Sequence, residues 1–332
     1  MVPNQHADPL AIGCRPVNME RQNLSPTILI DSLPKGSSVR FNDSTFFTRN
    51  GPEATFPSAV QVRAKSEAGD HVLHRRNTVI FESLRLVVKF GMEPRVSIAE
   101  GQCLWWLGRH LPSVPVPEIY GWTEDGEEVF LYMELVEGVT LERRWDCLSR
   151  ENKVGVGEQL RDMVNELRRV KRDPEDEFLG QINRGPLQDV VFADGIRPRA
   201  GPFSSVKEFH DWFSFLIRRQ AASGPHWEGY RLEDIPDPYR QLLPDGPGVV
   251  FTHADLHQSN IMVSEGSPCR VVAVIDWHQS GWYPDYWEFY KAQYTNHWET
   301  EWVQKYIPIF LDEPRETFID GIDNYARSWG FM

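Results

Sequence analysis

The sequence predicts an α+β protein with two lobes, a small sheet-rich lobe followed by a larger helical lobe. From about Val39 to Val136, short runs of β-branched and aromatic residues alternate with turn residues, which is the pattern of strands. After Glu137-Gly138 the apolar residues recur at helical spacing instead. The chain shows no internal repeat, which excludes a solenoid or a propeller.

The length of 332 residues suits one bilobal unit or two domains. We expect residues 1–35, which are polar and lack a sustained period, to form a loosely attached N-terminal lead-in. Residues 36–136 then form the sheet-rich lobe, and residues 137–332 form the helical lobe.

In the sheet-rich lobe, five segments have a clear pattern: strands at Thr78–Phe81 and Leu84–Phe90, a helix at about 95–110, and a hairpin of strands at 117–122 and 129–135. In the helical lobe the predicted elements are a short helix at 140–148, a helix at 150–170, a long loop at 171–202, a helix that starts at the capping box Ser205–Glu208, and strands that flank 252–260.

Composition and charge exclude several classes of partner. The chain carries 35 basic and 48 acidic residues, a net charge of −13, so its overall field does not attract nucleic acid or an anionic membrane surface. The apolar run Val271–Ile275 is far shorter than the ~20 residues that a bilayer span needs. An anionic ligand would therefore need a few placed cations and a metal ion.

Cysteine usage and the N-terminal sequence indicate a reducing compartment. The four cysteines, Cys14, Cys103, Cys147 and Cys269, are far apart and form no C-x-x-C motif, which favours free thiols. The first residues lack a basic segment followed by an apolar run, the signature of a secretory signal. We expect a cytoplasmic protein.

The segment 253–260, His-Ala-Asp-Leu-His-Gln-Ser-Asn, lies between two apolar runs, and a later run, 271–275, ends at Asp276. Phosphoryl transfer from Mg-ATP needs a carboxylate that orients the acceptor hydroxyl and takes its proton, and oxygen ligands that hold Mg²⁺ against the phosphates. The spacing predicts Asp255 as catalytic base and Asn260 and Asp276 as metal ligands. Turn formation and strand capping are the alternative roles of these three residues.

A cation for the phosphates is expected upstream. Lys89 closes the apolar run Leu86–Val88, which is the strand position of a kinase phosphate lysine. Glu100, eleven residues further on, lies in the predicted helix, where its carboxylate could pair with the Lys89 ammonium. A surface lysine and a solvated glutamate are the alternative.

Residues Met133 to Val136 end the last strand of the sheet-rich lobe, where the two lobes meet. We predict that the backbone groups of Glu134 and Val136 bind adenine and that Met133 packs nearby. An ordinary strand end is the alternative.

The segment 253–260, followed by Val-Ile-Asp-Trp at 274–277, resembles the aminoglycoside phosphotransferase (choline-kinase-like) family. The runs Leu86–Gly91, Val116–Gly121 and Met133–Gly138 look like the same family, and most like a large fungal group within it. The resemblance covers roughly residues 75 to 295, and the order of its motifs is more specific than any one of them.

This resemblance implies a protein-kinase-like two-lobed fold, use of ATP with Mg²⁺, and a small-molecule acceptor rather than a protein. It implies that Asp255 is the catalytic base, that Asn260 and Asp276 bind the metal, and that Lys89 paired with Glu100 holds the phosphates. Residues 36–136 would then be the nucleotide-binding lobe, and residues 137–332 would contain the catalytic loop and the acceptor site.

The sequence also departs from the family pattern. Ala254 stands where glycine is commoner, and His278 stands where the family often has an acidic residue. No Gly-x-Gly-x-x-Gly precedes Lys89; only the turns at 36–38 and 50–52 offer glycine there, so no residue is assigned to a phosphate-covering loop.

The acceptor is expected against the helical lobe near Asp255, between the 171–202 loop and the C-terminal segments. The candidate lining residues there are acidic or aromatic: Glu175, Asp176, Glu177, Asp189, Trp282, Tyr283, Tyr286, Trp287 and Tyr290. Such a pocket would suit a cationic or flat acceptor. Solvated loops and core packing are the alternative for these residues.

Two other functional classes stay open. The missing glycine motif and the presence of His278 favour a catalytically inactive kinase-like module, which would bind a nucleotide and have a regulatory role. A metallohydrolase would use His253, Asp255 and His257 and would need further His or Asp ligands, but the remaining candidates are scattered without a recognisable spacing: His71, His74, His278 and His297. The second alternative leaves Lys89 and Asn260 unexplained.

Overall fold

The computed structural model describes residues 25–68, 77–192, 197–294, 296 and 299–328. Most of the expected lead-in, residues 1–24, lies outside this range. Its last part differs from the expectation of a loose attachment, because the strand Thr27–Ile28 (β1) pairs with residues 171–172 and the side chains of Ile28 and Leu33 are buried.

The sheet-rich lobe is built on an antiparallel sheet of five strands. These are β2 (Ser38–Arg40), β3 (Thr78–Phe81), β4 (Leu86–Gly91), β5 (Ile119–Asp125) and β6 (Glu128–Glu134). Their order is β2-β5-β6-β4-β3, so β4 lies between two partners. Leu86 and Val88 alternate with Lys89 along β4, which places the lysine on the opposite face from the buried aliphatic side chains.

Three helices belong to this lobe. The predicted helix is present as α3 (Ile98–His110) and packs against β5 and β6. The helices α1 (Thr45–Asn50) and α2 (Ala59–Glu67) replace the strand-like structure that the sequence pattern favours. Ser58 and Gln61 form a reciprocal capping box at the start of α2, a signal that the sequence contains.

The helical lobe contains the remaining elements: β7 (Val139–Thr140), α4 (Leu141–Arg144), α5 (Arg150–Arg169), β8 (Lys171–Arg172), α6 (Val206–Ala222), β9 (Val249–Thr252), β10 (Ile261–Val263), β11 (Val271–Val274), β12 (Gly281–Pro284), α7 (Trp287–Tyr294), α8 (Ile307–Phe310) and α9 (Glu316–Ser328). The predicted apolar stripe of α5 is buried, and Ser205 caps α6 through the N–H of Glu208. None of the helices within the described ranges has the length and apolar character to cross a bilayer.

The segment 171–202 differs from the long loop that its composition predicts, because its described part is packed against the lobe. Leu179 and Phe203 form a bridge, as do Gly180 and Trp282. Leu187 and Phe192 are buried. The segment therefore supplies a wall of the lobe rather than a solvated connection.

One hydrophobic cluster joins the two lobes. It contains Cys103 and Leu107 of α3 together with Trp277, which follows β11 in the helical lobe. The described cysteines are free thiols, and burial raises the pKa of Cys103 to about 12. Because α3 packs on both the sheet and the turn after β11, the helix fixes residues of the two lobes relative to one another.

Candidate active site

Lys89 and Glu100 form a buried ion pair between β4 and α3. The Lys89 Nζ donates to Glu100 Oε1 at 2.8 Å and to Oε2 at 2.7 Å. The lysine side chain is 12% exposed and that of the glutamate is 1% exposed. The pairing expected from the sequence is therefore present, and the ammonium is held in one position.

Asp276 joins this pair from the helical lobe. Its Oδ1 accepts from Lys89 Nζ at 2.7 Å and from His278 Nδ1 at 2.8 Å. The residue has a left-handed backbone, φ 68°, two positions after the end of β11, and this turns its carboxylate away from the strand direction. Burial alone would lower the pKa of Lys89, but the carboxylates of Asp276 and Glu100 raise it above its ordinary value.

The loop that carries Asp255 is fixed by its own side chains. The Asn260 Nδ2 donates at 2.8 Å both to the backbone oxygen of Asp255 and to its Oδ2. The Ile275 N–H donates to the backbone oxygen of Asn260 at 2.9 Å, which holds the loop beside Asp276. Burial raises the pKa of Asp255, and the charge of Lys291 opposes this.

His253 hydrogen-bonds the backbone of this loop and of Ile275. Its Nδ1 accepts from the N–H of Asp255 at 3.1 Å, and its Nε2 lies 3.1 Å from the oxygen of Ile275. The two contacts together place the ring proton on Nε2. Burial lowers the pKa of His253 to about 4, so the ring is neutral near physiological pH.

A cavity between the lobes ends at the ion pair. Lys89, Glu100 and Asp276 line one part of it, and Glu134 and Val136 line another, between apolar side chains of both lobes. Five of the seven predicted site residues therefore share one cavity. Asp255 and Asn260 do not line it, although their neighbour Ser259 does.

The family model described as "APH: Phosphotransferase enzyme family" matches residues 82–327, which is more than half of the chain. The chain belongs to the phosphotransferase enzyme family. The prediction of a small-molecule phosphotransferase is thereby confirmed, as is the predicted kinase-like fold with a sheet-rich and a helical lobe.

Several solved structures of aminoglycoside phosphotransferases are similar to this phosphotransferase. The streptomycin–ATP complex of APH(2")-IIa is 14% identical, with a TM-score of 0.45, and the alignment covers 84% of this chain and 99% of that chain. The type VIII aminoglycoside-3'-phosphotransferase is 19% identical, with a TM-score of 0.40 and coverages of 74% and 77%. APH(3'')-Id from Streptomyces rimosus, with ADP and streptomycin, is 17% identical, with a TM-score of 0.42 and coverages of 74% and 88%. No curated protein matches the sequence.

Two of the three departures from the family pattern, Ala254 and His278, are visible in this phosphotransferase. Ala254 has φ 64°, a conformation that glycine adopts at lower cost. His278 donates from Nδ1 to Asp276 and so contacts the predicted metal ligand directly. The residues 69–76 that precede β3 lie outside the described ranges.

The aromatic residues expected near the acceptor are core residues. Trp282, Tyr283, Tyr286, Trp287 and Tyr290 are all buried, most of them in a cluster with α6 and α9. Aromatic side chains at helical spacing pack inward because they remove a large apolar area from water. They pack as core, which is the alternative given above, and none of them lines the cavity between the lobes, so an acceptor pocket at these positions stays a prediction.

The acidic candidates do not line the cavity between the lobes either. Glu175 and Glu177 are exposed in the 171–202 segment, and Asp176 pairs with Arg184. Asp189 is fully buried and pairs with Lys291 at 2.9 Å. The contacts of the described residues therefore give no support to an acidic and aromatic acceptor pocket at these positions, and that pocket stays a prediction.

The arrangement of histidines does not support a metallohydrolase site. Both ring nitrogens of His253 are engaged within the protein, and Nδ1 of His257 contacts Ser259. Across the described ranges, no three His, Cys, Asp or Glu side chains are grouped as a metal site would need. His71, His74 and His297 lie outside those ranges.

Glu288 is a site residue that the sequence analysis does not identify. Its carboxylate accepts from the N–H of His253 at 2.7 Å and from the N–H of Ala254 at 3.1 Å. Burial raises the pKa of Glu288 to about 7, although both N–H groups oppose this. The sequence did contain a signal for this role, because Glu288 is the single acidic residue within the aromatic run Tyr286–Tyr290. A carboxylate that is buried among aromatic side chains normally has hydrogen-bond or charged partners.

Proposed function

We propose that this phosphotransferase transfers the γ-phosphate of Mg-ATP to a hydroxyl group of a small molecule. The proposal rests mainly on the position of Lys89 Nζ, which lies 2.7–2.8 Å from the carboxylate oxygens of Glu100 and Asp276. All three residues line the cavity between the lobes. A fixed ammonium beside a carboxylate supplies the cation and the metal ligand that a polyphosphate requires.

The other part of the cavity suits an adenine ring. Val87, Met133 and Met262 give it apolar walls from both lobes. The backbone N–H and C=O of Val136 make no hydrogen bond within the described ranges, so they are available to the edge of a base. The carboxylate of Glu134 accepts from the N–H of Glu118 at 3.3 Å, and its own N–H donates to the Glu118 oxygen at 2.9 Å, which leaves the backbone carbonyl as its contribution to adenine.

Asn260 and Asp276 have the donor chemistry that Mg²⁺ requires. The ion prefers hard oxygen ligands, and these residues offer one amide oxygen and one carboxylate. Because the Asn260 nitrogen donates to Asp255, the amide oxygen is directed away from that residue. Mg²⁺, when bound, supplies positive charge to the phosphates during transfer.

Asp255 is proposed as the base for the acceptor hydroxyl. The hydroxyl proton passes to the Asp255 carboxylate, the hydroxyl oxygen forms a bond to the γ-phosphorus, and the bond from that phosphorus to the β,γ-bridging oxygen breaks. The products are the phosphorylated acceptor and ADP, with Lys89 holding the phosphates. Burial raises the pKa of Asp255, which makes the carboxylate a better proton acceptor.

The test is phosphate transfer from γ-labelled ATP into a protein-free metabolite extract, comparing the parent with Asp255→Asn. We expect the substitution to lower transfer by about 10³-fold or more, because it removes the base, while Mg-ATP binding measured by calorimetry is retained. The matched control is Asp146→Asn at an exposed position of the helical lobe, which should transfer phosphate as the parent does.

Equal transfer by the parent and Asp255→Asn would contradict the role of Asp255. Nucleotide binding by the parent without transfer to any component of the extract would favour the inactive, nucleotide-binding alternative. The structural feature that favours this alternative is the hydrogen bond from His278 to Asp276, because it engages the carboxylate that is proposed to bind the metal ion.

A further inference from the structure

A second cavity lies beside the cavity between the lobes, which is the proposed nucleotide site and is called the nucleotide cavity below. Asp276 lines the first cavity, and His278, which hydrogen-bonds Asp276 at 2.8 Å, lines the second. Its walls come from both lobes: residues 90–95, at the end of β4 and just beyond it, and Gln188 and Val190 of the 171–202 segment. A molecule bound there would be next to the phosphate end of the nucleotide cavity.

Two polar groups in this cavity have no protein partner within the described part of the chain. Gln188 is 8% exposed and lines the cavity, and no described residue hydrogen-bonds its side-chain amide. His278 donates from Nδ1 to Asp276, and no described residue contacts its Nε2. Both groups border the cavity, so each can hydrogen-bond a molecule that enters it.

The rim of the cavity is apolar. Met92 is 54% exposed and Val190 is 42% exposed, and both line the cavity from opposite lobes. Val190 is held in place, because its N–H donates to Gln279 Oε1 at 2.9 Å, and that oxygen also accepts from Lys291. These exposed apolar side chains therefore belong to a fixed wall.

The charges of the cavity nearly balance. Glu128 is already paired with Arg63 at 2.7 Å, and Glu93 lies two residues from Arg95 in the same exposed turn. A polycation needs several carboxylates without partners, and this cavity does not provide them. A neutral ligand fits its charge better.

We propose that this cavity binds the acceptor and that the acceptor is a neutral alcohol with an apolar portion. The apolar portion packs on Met92 and Val190, and a polar group of the molecule hydrogen-bonds Gln188 and His278 Nε2. This inference rests on the proposed phosphotransferase function and specifies its acceptor site and acceptor class.

The test compares Val190→Trp, which fills the cavity, with Val60→Trp, a matched change at a valine of α2 that is 72% exposed and lines no described cavity. Transfer from γ-labelled ATP into a protein-free metabolite extract should fall by about 100-fold or more in Val190→Trp, because the acceptor is displaced. It should be unchanged in Val60→Trp. Mg-ATP binding should match the parent in both variants.

Gln188→Leu is the second variant, and it tests the site even where the tryptophan disturbs folding. Once the labelled acceptor has been isolated, this change should raise its KM by about 2- to 10-fold with kcat nearly unchanged, the effect of losing one hydrogen bond. Parent-like transfer by Val190→Trp, or a parent-like KM in Gln188→Leu, would overturn the acceptor site. A parent that labels nothing contradicts the proposed function itself, so the two failures are distinguishable.

The acceptor class is tested by passing the extract through a cation exchanger and then an anion exchanger before the assay. We expect the acceptor in the fraction that neither exchanger retains, and an acceptor retained by the anion exchanger would also overturn the neutral class. Label confined to the retained fraction, or efficient phosphorylation of gentamicin by the parent, would overturn the neutral class.

Discussion

The backbone of the catalytic loop is supported by two buried groups that never touch a substrate in the proposed mechanism. Glu288 accepts the N–H groups of His253 and Ala254, and His253 accepts the N–H of Asp255. Both groups are buried, which favours their uncharged forms. At the scale of single residues, the position of Asp255 therefore depends on ionisable groups beneath it.

We predict that Glu288→Gln changes how stability depends on pH. Burial raises the pKa of Glu288 from 4.5 to about 7, so between these values the folded protein keeps a proton that the unfolded chain has lost. Stability from this group is therefore fully present below about pH 4.5 and is lost as the pH rises to about 7. The loss is up to roughly 3 kcal/mol, and glutamine cannot show it.

Urea unfolding of both proteins at about pH 5 and about pH 8 measures this effect. The free energy of unfolding of the parent relative to Glu288→Gln should be greater at the lower pH. Glu313→Gln at an exposed position is the control and should follow the parent. An equal difference at both pH values would show that Glu288 has an ordinary pKa.

At the scale of elements, the chain passes from one lobe to the other through a close backbone contact. Gly138 follows β6 and precedes β7, with φ +138°, and a Cβ atom there would lie 2.6 Å from the backbone oxygen of Val263. β7 pairs with β10 at Val263, so this approach aligns the linker with the strand that follows the catalytic loop. Only glycine permits it without strain.

Gly138→Ala should therefore destabilise the protein more than the same substitution at a glycine where a positive φ is the only obstacle to a side chain. Gly126 is the matched control, since it has φ +68° in the β5–β6 turn and a Cβ atom there would meet nothing within 4 Å. We expect Gly126→Ala to cost about 1 kcal/mol. Gly138→Ala should cost about 1–3 kcal/mol more, measured by chemical unfolding, and equal losses would contradict the close contact.

At the scale of the whole molecule, a buried ion pair connects parts of the helical lobe that are distant in sequence. Lys291 of α7 donates to Asp189 at 2.9 Å and to Gln279 at 3.1 Å, and Asp189 also accepts from Trp287 at 2.8 Å. Lys291 and Asp189 are fully buried. The pair thus holds the 171–202 segment against α7 and against the turn that follows Asp276.

Removing one member of this pair should destabilise the protein more than removing both. Lys291→Met leaves the Asp189 carboxylate buried without its partner, which costs about 3–5 kcal/mol. The double variant Lys291→Met with Asp189→Asn has no buried charge here and should recover part of this loss. Chemical unfolding of the parent, both single variants and the double variant measures the coupling, and additive losses would show that the two residues act independently.

The sequence alone determined the order of the two lobes and most of their regular elements. Strand and helix periods are local properties, so β3, β4, α3, the β5–β6 hairpin, α5 and α6 were predictable to within a few residues. The resemblance that predicted the family rested on the order of several motifs between about residues 75 and 295, including the segment that contains Asp255 and Asn260. The helices α1 and α2 were not predicted, although the capping residues of α2 were present.

Only the tertiary structure decided which distant residues meet. The contact between Lys89 and Asp276 joins positions 187 residues apart, and nothing local in the sequence encodes its 2.7 Å distance. The same is true of Glu288 beneath the catalytic loop and of Lys291 beside Asp189. Whether Asp189 or Trp287 faces a ligand or the core depends on how the 171–202 segment packs against α7, because burial is set by long-range packing and not by neighbours along the chain.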